Sequence, residues 1–362
     1  MTTLKQRIER LIAANGPVSV AEYMALCLFD PEDGYYTNRE PFGVAGDFTT
    51  APEISQMFGE LVAVWLHTAW QAIGRPLPVT LAEIGPGRGT LMKDILRTLA
   101  KLDPALVTQA SFAMIETSPR LAEIQKKTLA GHQARIDWHQ SIETLPDNPL
   151  VIVGNELFDA IPIRQFVRAN GKWRERMVGL NDAGELHFLA GAASLDPALL
   201  PRNAATAMDG AIVELAPART ALMDEIAGRI AARGGAGLFI DYGHLEPGIG
   251  DTLQALRKHS YQDVLAEPGQ ADVTSHVDFA ALAAIARARG LGAHLMTQGH
   301  FLLKMGLLER AGRLGAGLDA AGQEKIRGQA ERLASPSAMG ELFKILAILP
   351  SGTAVPPFSD AD

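Results

Sequence analysis

The spacing of apolar residues divides the chain into regions of different character. Residues 4–29 ("LKQRIERLIAANGPVSVAEYMALCLF") have helical periodicity interrupted at Gly16-Pro17, which predicts two short helices. Residues 52–73 predict one long helix that begins near Pro52. A segment rich in Gly and Pro separates these stretches, and we interpret 1–75 as an N-terminal helical or lid region.

From about residue 76, short apolar runs alternate with amphipathic segments. The runs "VTLAEIG", "QASFAMIE", "RIDWH" and "PLVIVGNE" predict strands, and "TLMKDILRTLAKL" and "SPRLAEIQKKTLA" predict helices. This alternation favours an α/β fold with a mostly parallel sheet and helices on both faces. "GAGLFIDYGH" and "LFKILAIL" predict further strands, "GAHLMTQGHFLLKMG" is expected to be rich in strand, and "HVDFAALAAIARARG" predicts a helix. We assign the core to 76–163 and 211–350, and a flexible tail to 351–362.

Residues 164–210 depart from that alternation. Polar and apolar residues alternate there around Asn170-Gly171 and Asp182-Ala183-Gly184, as they do in antiparallel hairpins. We therefore predict an inserted β-rich region that contacts a substrate or partner.

Composition narrows the possible partners. The net charge of −8 comes with no clustered basic run, which argues against binding of nucleic acid. Cys27 is the single cysteine, so an internal disulfide and a thiolate zinc cluster are excluded, and we expect no bound metal. The apolar runs are too short for a transmembrane segment, and we expect a cytoplasmic protein.

The candidate ligand site is the turn in "EIGPGRGT", between the first predicted strand of the core and its helix. Gly85, Gly87 and Gly89 place a ligand at the carboxyl end of that strand. The turn lacks the Gly-Lys-Ser/Thr of a phosphate loop, and Thr90 stands where a dinucleotide fingerprint requires its third glycine. The pattern E-x-G-x-G-x-G resembles that of class I methyltransferases, which hold S-adenosylmethionine at this turn.

The same comparison suggests further contacts to the cofactor. Glu83, at the end of the strand, is placed to accept the cofactor's ammonium group. Glu116, at the end of the second strand, is placed to accept both ribose hydroxyls, although nucleotide sites use an acid in the same way. Ser141 and Ile142, with Trp138, follow the third strand and are candidates for the edge of the adenine.

Several stretches taken together resemble one family, the MidA-like methyltransferases. They are "AGDFTTAPEISQMFGELVAVW", "EIGPGRGTLMKDILR", "GNELFDAIPIRQF", "DVTSHVDF", "TQGHFLL" and "LFKILAI", and the match extends from about 16 to 349. That family includes a mitochondrial complex I assembly factor that methylates an arginine of a complex I subunit. The resemblance implies a Rossmann-like class I fold, S-adenosylmethionine as donor, and an arginine of a complex I subunit or related protein as acceptor. The alternatives are a small-molecule methyltransferase and a non-catalytic assembly factor that binds the cofactor.

The acceptor site is expected in "GNELFDAIP", after the fourth strand. Asn155, Glu156 and Asp159 would there face the methyl group. Carboxylates suit a guanidinium because they bind its planar, permanently charged fork. Arginine methyltransferases place two glutamates after this same strand, and Glu156 and Asp159 resemble that pair with a different spacing and second residue. The structural alternative is that Asn155 and Asp159 cap the turn.

A polar loop before the long predicted helix supplies the remaining candidates. "GDFTTAPE" contains Asp47, Thr49, Thr50 and Glu53, which either close over the cofactor as a lid or cap the helix. The resemblance favours a lid. Tyr36 is a candidate for lining the acceptor channel, or is an aromatic residue of the core.

Overall fold

The computed structural model describes residues 2–38, 50–258 and 260–358. Within these ranges the α-helices are α1 (Leu4–Asn15), α2 (Val20–Phe29), α3 (Tyr35–Asn38), α4 (Ala51–Ile54), α5 (Gln56–Ala72), α6 (Thr90–Leu102), α7 (Pro104–Gln109), α8 (Pro119–Leu129), α9 (Pro217–Arg233), α10 (Phe279–Ala288), α11 (Gln298–Lys304), α12 (Leu307–Gly315), α13 (Ala320–Ala334) and α14 (Met339–Leu342). None of the helices in these ranges combines the length and the apolar character needed to cross a bilayer.

The strands of the same ranges are β1 (Val18–Ser19), β2 (Thr80–Ile84), β3 (Ser111–Ile115), β4 (Arg135–His139), β5 (Leu150–Asn155), β6 (Arg164–Ala169), β7 (Lys172–Leu180), β8 (Leu186–Ser194), β9 (Ile212–Leu215), β10 (Gly235–His244), β11 (Gln254–Arg257), β12 (Ser260–Gln262), β13 (Asp272–Thr274), β14 (Val277–Asp278), β15 (Leu291–Thr297) and β16 (Phe343–Pro350). Contacts group the described residues into two units. The first unit comprises Met1–Phe48, Phe158–Ala221 and Glu246–Val277, and the second comprises Thr49–Leu157, Leu222–Leu245 and Asp278–Asp362. The sequence-based domain boundaries stay a prediction.

The second unit contains a central sheet with the strand order β15-β16-β10-β5-β2-β3-β4. Strands β10, β5, β2, β3 and β4 run parallel, and β16 and β15 are antiparallel to their neighbours. The chain leaves β2 toward β3 and later returns on the other side of β2 as β5. The carboxyl ends of β2 and β5 therefore flank a topological switch point, where ligands of such sheets bind. The predicted α/β fold with a mostly parallel sheet is confirmed.

Burial explains the amino-acid sequences of the strands in this sheet. All five residues of β2 are buried, as are the first five of β5, which accounts for the apolar run of β5 and the mostly apolar sequence of β2, where Thr80 and Glu83 are polar. Helix α6 instead has a buried face that includes Leu91, Ile95 and Leu99 at helical spacing.

The helix predicted over 52–73 is divided in the structure. Ser55 is extended, with φ −160° and ψ 139°, and it separates α4 from α5. Its hydroxyl accepts a hydrogen bond from the Met57 amide at 3.3 Å, so the residue caps the second helix rather than continuing the first. Residues 51–72 therefore form two helices, α4 and α5, instead of one continuous helix.

The first unit contains the two predicted N-terminal helices and an antiparallel sheet with the order β1-β7-β6-β9, in which β8 also pairs with β7. Asn170 and Gly171 join β6 to β7 with φ values of 51° and 72°. Positive φ at both positions is the requirement of the tightest hairpin turns. The predicted antiparallel insertion is confirmed.

Two C-terminal stretches differ from the sequence-based description. After β15, the chain turns into α11, whose first turn is capped by the Thr297 hydroxyl, although strand was expected there. In the range assigned to a flexible tail, Val355 and Phe358 are buried. The Phe358 ring lies 6.2 Å from that of Trp65 and 5.9 Å from that of Phe301, so apolar burial holds this segment against the core of the second unit.

Candidate active site

The glycine turn lies at the carboxyl end of β2. Gly85, Gly87 and Gly89 have φ values of 66°, 52° and 78°, a region that side-chain-bearing residues adopt only with strain. The Gly89 amide donates to the Pro86 carbonyl at 2.8 Å, and Gly89 is the N-cap residue of α6. A Cβ added at Gly85 would lie 2.9 Å from Cδ1 of Leu157, which follows β5. The turn after β2 and the loop after β5 therefore meet, as the sequence predicts.

Glu83 is a buried acid beside this turn. Its side chain is 3% exposed, and Oε2 has no hydrogen-bond partner among the described residues. The pKa of Glu83 is raised to about 8, mainly by burial and also by the negative charge of Glu116, while a hydrogen bond from the Met92 amide acts in the opposite direction. A cationic group bound here would stabilise the ionised form of Glu83 and supply the missing hydrogen bond to its carboxylate.

Glu116 follows β3 and is half-buried. Its Oε1 accepts from the Ser118 amide at 2.7 Å, and its Oε2 accepts from Nε2 of Gln125 at 2.9 Å. Burial raises the pKa of Glu116, and the Ser118 amide and Gln125 act in the opposite direction. The carboxylate is thus held in one orientation by two donors.

Gln125 is a residue of this site that the sequence reading missed. It lies on α8 without exposed surface, and Nε2 also donates to the Gly87 carbonyl at 2.9 Å. Its Oε1 accepts from Nε1 of Trp138 at 3.0 Å. The available signal was its position between Leu121 and Leu129, where an amide occupies the apolar face of a helix.

The candidates after β4 are less constrained by hydrogen bonds. Ile142 is buried and begins a short 3₁₀-helix, Ile142–Thr144. Ser141 precedes it without making a side-chain cap, and its carbonyl accepts from the Thr144 hydroxyl at 2.8 Å. The Ser141 hydroxyl is therefore not engaged in capping this helix.

The residue after β5 has an unusual backbone conformation. Glu156 has φ 51°, and its amide donates to the Ile240 carbonyl of β10 at 2.8 Å. Its Oε1 accepts from the Ala51 amide at 3.4 Å and from Nδ2 of Asn155 at 3.1 Å. Oδ1 of Asn155 is buried without a hydrogen-bond partner among the described residues. A left-handed residue other than glycine costs about 1–2 kcal/mol, so this loop holds Glu156 in a strained position.

A family model described as "Putative S-adenosyl-L-methionine-dependent methyltransferase" matches residues 61–297, which is more than half of the chain. The chain belongs to this methyltransferase family. The resemblance to the MidA-like methyltransferases is confirmed, and the cofactor is S-adenosylmethionine.

Relatives of this methyltransferase match it over nearly the whole chain. Protein arginine methyltransferase NDUFAF7, mitochondrial, of Danio rerio is 36% identical over 361 residues, which are 93% of this chain and 85% of that protein. The Homo sapiens protein of the same name is 33% identical over 379 residues, covering 97% and 84%. A Burkholderia thailandensis crystal structure bound to S-adenosyl-homocysteine has a TM-score of 0.81 and 27% identity, covering 96% of this chain and 91% of that chain. The class I methyltransferase fold is thereby confirmed.

The residues around the glycine turn fit the methyltransferase cofactor. The unpaired Oε2 of Glu83 suits an ammonium group, and the exposed surface of Gly85 leaves its backbone accessible beside that acid. Glu116 presents an oriented carboxylate suited to a diol. These features meet three requirements of the cofactor: a cation acceptor, close approach to the backbone and a ribose acceptor.

Asp159 and Tyr36 belong to the first unit of the methyltransferase. Asp159 is 5% exposed, and its carbonyl accepts from the Ser275 amide at 3.2 Å and from Nη2 of Arg219 at 2.9 Å. The Tyr36 hydroxyl donates to Oδ1 of Asp272 at 3.0 Å. Burial raises the pKa of Tyr36 well above its ordinary value, and the charges of Asp272 and Asp159 add to the shift. Two carboxylates and a phenol therefore lie close together in this unit.

Two of the predicted lid residues, Asp47 and Thr49, lie outside the described residues. Thr50 occupies the N-cap position of α4, but its side chain makes no capping hydrogen bond. Glu53 is half-buried and lies 3.5 Å from Nη1 of Arg88, a residue of the glycine turn. The lid role of these residues stays a prediction, and the contacts show only that α4 meets the turn.

Proposed function

We propose that this methyltransferase is a protein arginine N-methyltransferase that acts on a subunit of respiratory complex I or a related protein in the cytoplasm. Support comes from the names of the relatives, which are 33–36% identical over almost the entire chain. The observation that supports particular residues is the strained Glu156 directly after β5, whose carboxylate accepts hydrogen bonds from the Ala51 amide and the Asn155 side chain.

In this proposal the cofactor binds at the carboxyl ends of β2 and β3. Glu83 would hold the ammonium group, Glu116 the ribose hydroxyls, and Gly85, Gly87 and Gly89 would allow the ligand to approach the backbone. Ser141 and Ile142 are proposed to line the adenine. When bound, the cofactor supplies an electrophilic methyl group carried on a positively charged sulfur.

Glu156 is proposed to hold the acceptor guanidinium. A carboxylate orients one of its nitrogens through charge-assisted hydrogen bonds and stabilises the positive charge while that nitrogen loses a proton. Holding Glu156 by the Ala51 amide and the Asn155 side chain reduces the reorganisation needed when an acceptor binds. Asn155 is accordingly proposed as an orienting residue.

On the first unit, Asp159 and Tyr36 are proposed to contact the substrate. The carboxylates of Asp159 and Asp272, whose charges act on Tyr36, are proposed to favour a basic segment of a protein. Asp159, the second acid of the same sequence motif as Glu156, is proposed as a further carboxylate that contacts the acceptor.

The test uses methyl-labelled cofactor and extract from cells that lack this protein. We expect label in a polypeptide at an arginine located by mass spectrometry, and we expect Glu156→Gln to abolish labelling while it retains affinity for S-adenosyl-homocysteine. Label confined to low-mass material would select a small-molecule acceptor instead. Absence of label, together with rescue of assembly in cells by Glu156→Gln, would identify a non-catalytic binding role.

A further inference from the structure

The side chain of Gln125 has a uniquely determined orientation. Nε1 of Trp138 can only donate, whereas the Gly87 carbonyl and the Glu116 carboxylate accept. The amide oxygen must therefore face Trp138, and the nitrogen must face the other two groups. Both protons of Nε2 are used, one toward the glycine turn and one toward the acid after β3.

We propose that Gln125 is a positioning residue for the cofactor, which sets the Gly87 carbonyl and the Glu116 carboxylate in the arrangement that binds it. Because Gln125 has no exposed surface, it acts through these partners and not by contact with the ligand. Trp138, half-buried on β4, holds the amide from the opposite side and prevents its rotation. This inference rests on the proposed role of Glu116.

The amide also affects the charge of Glu116. Burial raises the pKa of Glu116, whereas the hydrogen bond from Gln125 and the positive charge of Arg120 favour the ionised carboxylate and lower it. Loss of the Gln125 donor should therefore shift protonation of Glu116 to higher pH. Such a shift would not follow from a general loosening of the core.

The decisive variant is Gln125→Met in the full 362-residue chain. It preserves much of the side-chain length but leaves the Glu116 oxygen, the Gly87 carbonyl and the Trp138 N–H without their partner. Titration calorimetry with S-adenosyl-homocysteine should show affinity weakened about tenfold, the scale of one hydrogen bond lost from the Glu116 carboxylate that would contact the ligand. If this variant does not fold, Trp138→Phe, which removes the donor that orients the amide, should weaken binding about threefold, and less so in the Glu116→Gln background.

The matched control is Gln298→Met. Gln298 is equally buried in the second unit, on α11, and its Nε2 donates to the Leu333 carbonyl at 2.8 Å. We expect this control to lower thermal stability without changing cofactor affinity. Equal affinities of the Gln125 and Gln298 variants would overturn the inference.

A double-mutant cycle separates this inference from the role of Glu116. Glu116→Gln should weaken binding by itself, and Gln125→Met should add little in the Glu116→Gln background. The ratio of wild-type to Gln125→Met affinity should increase as the pH is lowered. If Glu116→Gln leaves affinity unchanged, the ribose role fails and the inference fails with it. Additive losses with a ratio independent of pH would overturn the positioning role alone.

Discussion

Cofactor binding should release nearly one proton at neutral pH, because Glu83 must ionise to accept an ammonium group. The pKa of Glu83 is raised to about 8 in the protein without ligand, with burial as the main cause. At pH 7 the ratio of protonated to ionised carboxyl is about ten to one. Binding of the cation lowers the pKa, so about nine tenths of a proton should leave Glu83 in each complex.

The same pKa sets the size and direction of the pH effect on affinity. Ionising Glu83 before binding costs about 1.4 kcal/mol at pH 7 and about 3 kcal/mol at pH 6. Affinity should accordingly rise about tenfold per pH unit between pH 6 and 7, and level off above the pKa, where Glu83 is already ionised. The effect has this sign because the folded, ligand-free protein favours the neutral acid.

Calorimetric titration with S-adenosyl-homocysteine in buffers of different ionisation enthalpy measures the released protons directly. Glu83→Gln provides the control: its affinity should be weaker, its proton release at pH 7 close to zero, and its pH dependence in this interval flat. Wild-type binding without proton release at pH 7, or equal release by the variant, would refute the assignment of Glu83 as the cation acceptor.

Four further substitutions, one of them a control, test other parts of the structure. Gly85→Ala places a side chain at φ 66° and 2.9 Å from Leu157. Calorimetric titration should therefore show loss of cofactor binding, and the strain should lower the free energy of unfolding by about 1–2 kcal/mol. Gly131→Ala, at φ 93° with open space around it, should show the strain without the binding defect, and a binding loss there would contradict the placement of the turn. Glu60→Ala removes the acceptor of Arg97 and Arg310, at 2.8 Å and 2.6 Å, and urea denaturation should show a loss of about 3 kcal/mol. Glu156→Gly should relieve the left-handed strain and stabilise the protein by about 1 kcal/mol while methyl transfer is lost; a destabilised but active variant would exclude the role of this residue.

Local sequence patterns were sufficient to predict most of the second unit's sheet. Three features that predict this sheet are neighbours in the chain: the buried residues of β2, the glycines that permit positive φ, and the amphipathic face of α6. Their pattern can therefore be recognised without knowledge of the fold. The hairpin at Asn170-Gly171 was predicted for the same reason. Adjacency of the loops after β2 and β5 followed from the general layout of doubly wound sheets.

Other features depend on contacts between residues that are distant in sequence. Gln125 acquires its role because α8 packs its amide against a carbonyl 38 residues earlier, and a single buried glutamine in a helix does not reveal its partner. The pKa of Glu83 depends on the low-polarity surroundings that the folded sheet creates, which the short peptide around it lacks. The amino-acid order therefore specifies the strands, turns and chemical groups of this methyltransferase. Long-range packing decides which of these groups are buried, which are charged and which are held in place, because desolvation and hydrogen-bond partners arise only in the folded protein.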